Sequence, residues 1–142
     1  MALVPPDPDW RDVALRTFST APFVQHLGIE LDALAPGRCD ARMTLAPEHL
    51  QQDAVAHAGV VTTLLDHAAG TAAATLMPTG QRVVSIEFKV HLLRAAVGPE
   101  LRVSATVLKP GRSFCVVEAL VTDQGKAVTK LVGTMAYVDP RS

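Results

Sequence analysis

HAGVVTTLLDHAAGTAAATLM, residues 57–77, is the stretch that decides the fold. Val60, Val61, Leu64, Leu65, Ala68, Ala69, Ala72, Ala73, Leu76 and Met77 spread around a helix instead of forming one stripe, the pattern of a helix meant for burial. Asp66 stands in the middle of it. A carboxylate there is costly unless it is paired, solvated by a cleft, or used. The segment begins with His57-Ala58-Gly59, small residues that let a ligand approach free backbone N–H groups at the positive end of a helix. A carboxylate and an anion-stabilising helix start are the parts needed to hydrolyse an acyl compound.

Working outward, Pro78, Thr79 and Gly80 end the helix, and residues 46–56 form the loop before it, with Gln51, Gln52 and Asp53. Upstream, Ile29 to Ala35 and Arg38 to Leu45 read as strands joined by Pro36-Gly37. Ala21 to Leu27 forms a short turn that Gly28 stops. Asp9 is placed to cap a helix through about Ser19, and the Pro-rich residues 1–8 are expected to be loosely held. Residues 1–20 thus read as an extension with a short helix, and 21–142 as one domain.

The last third reads as strand. Ile86, Phe88, Val90 and Leu92 alternate with Glu87, Lys89 and His91, the period of a sheet with one buried face, and Leu101, Val103, Ala105 and Val107 repeat it. Turns at Lys109-Pro110-Gly111-Arg112 and Asp123-Gln124-Gly125-Lys126 separate strands at Phe114 to Thr122 and Ala127 to Val138. The expected fold class is therefore α+β, an antiparallel sheet wrapped around one long helix. A single sheet face does not cover a helix that is apolar nearly all round, so a second subunit is expected on its open flank.

The chain has 142 residues, enough for one domain with a substantial core. Net charge is −1, which gives no reason to expect nucleic acid. Residues 1–81 hold four Lys/Arg against nine Asp/Glu, and residues 82–142 hold nine against five. That asymmetry reads either as scattered surface charge or as a basic rim for a phosphorylated ligand. Asp66 and His67 interrupt the longest apolar run, so no membrane span is expected. The start, MALVPPDPDW, lacks the basic and apolar regions of a signal peptide, and the expected compartment is the cytoplasm. Cys39 and Cys115 form no disulfide framework and read as reduced packing residues.

Ala58 and Asp66 lie eight residues apart, about 12 Å of helix rise. A carbonyl held by the Ala58 N–H is out of reach of Asp66 on the same helix. The two groups meet only if two copies of the helix lie antiparallel across a two-fold axis. Other readings stay open. Asp66 could bond to a neighbouring loop, His57 could serve the helix start instead of acting as a base, and His67 points about 100° away from Asp66 as a packing or surface residue. The five histidines show no metal-ligand spacing, and no G-x-S-x-G elbow, P-loop or Rossmann pattern occurs.

Gln51-Gln52-Asp53-Ala54-Val55-Ala56-His57-Ala58-Gly59-Val60, with Asp66 and Ala68-Ala69-Gly70 after it, resembles the hotdog-fold acyl-CoA thioesterases of the phenylacetate-pathway (PaaI-like) type. The resemblance runs on through Ser85 to Val90, Leu93 to Ala96 and Lys109 to Ser113, and covers residues 22–138. It implies that Asp66 is the nucleophile or the general base for water and that the Ala58 N–H, beside His57 and Gly59, binds the thioester oxygen. Gln51 would position thioester or water, with Ser85 assisting. Arg94, Lys109, Gly111, Arg112 and Ser113 would border the coenzyme A arm. It implies further that the carboxylate comes from the opposite subunit and that the protein is a homodimer or a dimer of dimers, a homotetramer. Position 58 is alanine where the family has glycine, and position 95 is alanine where it often has proline.

The expected activity is hydrolysis of acyl-CoA thioesters with an apolar or aromatic acyl group. No metal or redox cofactor is needed, since coenzyme A is part of the substrate. The alternatives are a hotdog hydroxyacyl-thioester dehydratase, which would want a catalytic histidine paired with the helix carboxylate, and a non-catalytic acyl-CoA binding module.

Overall fold

The computed structural model describes residues 2–141. The elements are α1 (Trp10–Ser19), α2 (Pro22–Leu27), β1 (Glu30–Ala35), β2 (Arg38–Thr44), a 3-10 turn at Pro47–His49, α3 (Ala58–Ala74), β3 (Arg82–Leu92), β4 (Glu100–Lys109), β5 (Phe114–Asp123) and β6 (Lys126–Val138). The six strands form one antiparallel sheet in the order β1-β2-β4-β5-β6-β3. It wraps around α3, which packs against β2, β3, β4, β5 and β6. This is the arrangement that the sequence implies.

Burial of Val61, Leu64, Leu65, Ala68, Ala69 and Ala72 to Ala74 fixes α3 in the sheet's concavity. Each fully buried leucine contributes about 1.5–3 kcal/mol. The small alanines let the backbone of the helix approach the strands. At its C-terminal end, Thr75 Oγ1 accepts from the Gly37 N–H at 2.7 Å, and the Tyr137 hydroxyl donates to the Ala73 carbonyl at 3.0 Å. These bonds tie the helix end to the β1–β2 turn and to β6.

Residues pair across the sheet in rows that share a face. Val107, Val117, Gly133 and Phe88 form one row, Ala105, Ala119, Leu131 and Val90 the next, and Val103, Val121, Thr129 and Leu92 a third. A Cβ on Gly133 would lie 2.7 Å from Phe88 Cβ and from the Glu87 carbonyl oxygen, so this position must be glycine. The β5–β6 hairpin closes through Gln124-Gly125, both at positive φ, the geometry of a two-residue type I′ turn.

Three expectations change. Asp9 occupies the N-cap position of α1 but makes no side-chain cap; instead Asp7, itself buried, accepts from the Asp9 N–H at 2.8 Å. The looseness expected of residues 1–8 does not hold at Leu3, which packs on the core against Gly37. The third concerns β3. A bulge between Ser85 and Glu87 takes Ile86 out of the alternation. Ser85, Phe88, Val90 and Leu92 then share the concave face, yet Phe88 stays 38% and Leu92 59% exposed, because nothing in the chain covers that edge. Ile86 is also exposed. The alternation correctly predicts a face meant for burial, but not its cover.

Candidate functional site

His57 precedes α3 in extended conformation (ψ 141°), and its Nδ1 accepts from the Gly59 N–H at 2.9 Å. It is the N-cap. This bond uses one of the free donors at the helix start and leaves the Ala58 N–H, which donates to no group among the described residues. Ala58 is not at positive φ, so alanine fits where the family carries glycine. No acidic side chain in the first turn offsets the positive end of the helix dipole.

The Ala58 N–H opens onto a cleft of about 520 Å³, lined among others by Gln51, Val55, His57, Leu92, Arg94 and Ala96. Local bonds fix its walls. The Ala56 N–H donates to the Ala96 carbonyl at 2.8 Å, and the Asp123 carboxylate accepts from the Val97 and Gly98 N–H groups at 2.7 and 3.0 Å. The Gln51 amide oxygen accepts from the Asp53 N–H, which leaves its NH₂ group available. Four of the expected residues, Gln51, His57, Ala58 and Arg94, therefore share one cleft, with Gly59 at its edge through the His57 cap.

Asp66 lies elsewhere on α3. The half-exposed positions Thr62, Thr63, Asp66 and Gly70 form a flank that the sheet leaves open. Ser85 Oγ on β3 donates to Asp66 Oδ1 at 2.7 Å. Both line a second cavity of about 200 Å³ with Thr17, Ala21, His67, Gly70, Thr71 and Val83. The two cavities have no lining residue in common. Within one chain the carboxylate and the oxygen-binding N–H are thus kept apart.

His67 is a packing residue, as its angle from Asp66 on the helix implies. It borders the cavity of Asp66 because α1 closes that side. Its Nε2–H donates to the Phe18 carbonyl at 2.9 Å, one of the carbonyls in the last turn of α1 that the helix leaves unpaired. Its ring lies 4.8 Å from that of Phe18. Burial holds its pKa below the usual 6.5, against the smaller opposing pulls of the Phe18 carbonyl and Asp66. Thr17 was missed by the sequence reading, since the docking of α1 on α3 brings it here.

The Lys109–Ser113 turn lies apart from Arg94. Gly111 and Arg112 line a separate hollow with Leu3, Pro6, Leu76 and Pro78, and the Ser113 carbonyl accepts from the Tyr137 N–H at 2.9 Å. One chain therefore does not unite the residues expected along the coenzyme arm. The thiols are not candidate nucleophiles. Burial pushes Cys39 up to about 12 and raises Cys115 as well. No helix is long and apolar enough to cross a membrane among the described residues.

Comparison with known proteins follows the same lines. Residues 54–130 match the family model of the thioesterase superfamily. Among solved structures, a thioesterase family protein from Silicibacter pomeroyi is 32% identical, with a TM-score of 0.88, and the alignment covers 92% of this chain and 99% of that one. A variant of the phenylacetic acid degradation protein PaaI from Thermus thermophilus is 25% identical, with a TM-score of 0.76 over 82% of this chain and 98% of that one. The PaaI protein of Escherichia coli shares the fold at 20% identity, with a TM-score of 0.84 over 92% and 94% of the two chains. No curated protein sequence matches. The chain belongs to the thioesterase superfamily and is a thioester hydrolase with the hotdog fold.

Proposed function

We propose that the protein hydrolyses acyl-CoA thioesters at sites built between two copies of the chain. One observation carries this reading. The free Ala58 N–H and the Ser85-bonded Asp66 carboxylate stand on one helix, about 12 Å of rise apart, each in its own cavity. Two copies related by a two-fold axis would set the Ala58 cleft of one against the Asp66 flank of the other. The uncovered face of β3 and the open flank of α3 are the surfaces available for that union. β3 also presents 11 residues of unpaired strand edge, which a second β3 would satisfy.

In such a site the thioester oxygen accepts from the Ala58 N–H, and negative charge developing on it is stabilised there and by the helix dipole. Asp66 of the other copy either attacks the carbonyl carbon or takes a proton from the attacking water. In the second route the C–S bond breaks as the tetrahedral intermediate collapses. The proton held by Asp66 then passes to the departing thiolate, giving free acid and free thiol. Ser85 fixes the carboxylate through its hydroxyl proton, and the Gln51 NH₂ group orients thioester or water. Arg94, in the Ala58 cleft, is placed to bind phosphate of the coenzyme arm. Lys109, Gly111, Arg112 and Ser113 serve that arm only if another copy supplies them. The acyl group is apolar or aromatic.

The N-cap bond of His57 argues against the dehydratase reading, since an Nδ1 that accepts from the Gly59 N–H leaves the proton of the neutral ring on Nε2, which then cannot serve as the base. The test is release of free thiol from a panel of acyl- and aryl-CoA compounds. Release from at least one class is expected. Tight acyl-CoA binding without release would identify a binding module, and an enoyl product without free thiol would identify a dehydratase.

A further inference from the structure

Gly70 lies one helical turn beyond Asp66, on the same open flank of α3 and in the same cavity. Glycine inside a helix is destabilising relative to alanine. A local reason for it is absent here. Gly70 is not at positive φ, and a Cβ built on it would meet nothing within 4 Å. Gly133 is the contrast, because its Cβ would strike backbone and side chain at 2.7 Å. What a side chain at 70 would do is fill the space beside the reactive carboxylate.

We propose that Gly70 sets the size of the acyl group. The proposal rests on Asp66 being the reacting carboxylate. A thioester carbonyl held at Asp66 by the Ala58 cleft of the other copy has this cavity on the acyl side. The acyl group runs past Gly70 and Val83 toward Thr17 and Ala21, where α1 and the turn after it close the space. The cavity of about 200 Å³ is somewhat larger than one of roughly 150 Å³ that takes up benzene. It therefore has room for a single ring or a short chain, with α1 across its far end. α1 is part of the specificity device, because Thr17 lies on it.

The test compares the unchanged protein with Gly70→Ala, Gly70→Val and Thr17→Ala. Each is assayed for kcat/KM on straight-chain acyl-CoA compounds from acetyl to palmitoyl and on one single-ring acyl-CoA. One methylene in or out of such a pocket changes kcat/KM by about 10–200-fold. The hexanoyl-to-acetyl ratio should fall at least ~10-fold in Gly70→Val and less in Gly70→Ala, while Thr17→Ala moves the preference to longer chains. Gly70→Ala favours the helix, so its profile still decides the matter if Gly70→Val fails to fold. Hydrolysis with a chain-length profile that does not move, or that falls equally for every substrate, would overturn the proposal alone. Absence of thiol release from every acyl-CoA by the unchanged protein would overturn the hydrolase reading and this proposal with it.

Discussion

In β4, the alternate residues Leu101, Val103, Ala105 and Val107 are closed off from solvent, whereas in β3 Phe88 and Leu92, in the same rows of the same sheet face, are 38% and 59% exposed. The strands follow one rule and differ only in what lies over them. β4 is central and sits under α3. β3 is the edge strand beyond β6, and α3 meets it at Ser85 while Phe88 and Leu92, farther along the strand, stay uncovered. Apolar residues on a concave face without a lid are costly in water and serviceable against a partner. The open flank of α3 that carries Asp66 borders this same edge through Ser85. The contrast therefore marks where the chain stops being self-sufficient, and Asp66 lies on that side.

The strongest way to break this comparison is through the two halves of the site. Asp66→Asn keeps the shape and removes the base or nucleophile, so turnover should fall at least ~100-fold. Ala58→Pro deletes the N–H at the first helical position, where proline is tolerated after an extended residue such as His57, and should lower kcat by about 10²–10³. Each variant alone should be nearly inactive, but a refolded mixture should regain partial thiol release, because a mixed dimer would hold one intact composite site. No regain, with mixed dimers demonstrated by mass spectrometry, would mean that the site is not shared.

A second test acts on the lid itself. Phe88→Glu places an unpaired charge on the uncovered face of β3 and should weaken self-association at least ~100-fold. Sedimentation should then show folded monomers with little thiol release. The matching change under α3, Val107→Glu on β4, should unfold the chain instead. If Phe88→Glu assembles normally and keeps full activity, that face of β3 has no partner and the comparison loses its meaning.

The smallest effect concerns the other side of α3, which the chain does cover with α1. His67 has a folded pKa below its ordinary 6.5, so between these values the unfolded chain binds more protons. Its contribution to stability is complete above pH 6.5 and is lost as pH falls through 6.5 toward the lower folded value. His67→Gln keeps a donor for the Phe18 carbonyl and does not titrate. Urea midpoints at pH 7.5 and 5.5 should lie closer together in His67→Gln than in the unchanged protein. An equal gap in both would show that His67 does not carry this dependence.

The secondary structure was legible because local patterns specify it. The turn glycines, the alternation in β3 and β4 and the apolar helix each place an element within a few residues. Asp66 was legible because a carboxylate among buried apolar residues is conspicuous, and its separation from Ala58 follows from helix rise alone. Tertiary docking decided the rest. Nothing local to Thr17 or His67 says that α1 lands on α3, and the Phe18 carbonyl is free for His67 because α1 ends within a turn of it. The bulge at Ile86 was equally hidden, since one extra residue leaves the composition of a strand unchanged.

Leu3 on Gly37 has a practical consequence for anyone reshaping the chain. A methyl carbon of Leu3 occupies the place, within 2.3 Å, where any other residue at position 37 would put its Cβ. The leading residues thus act as a stopper in a socket formed by the β1–β2 turn, Leu76 and Val107. Cutting the chain just ahead of Trp10 would pull that stopper, take Asp7 from the start of α1, and lay bare apolar surface beside Gly111 and Arg112. Trimming that spares every catalytic candidate would still produce a stickier, less durable protein, so a shortened version should keep residues 3–9.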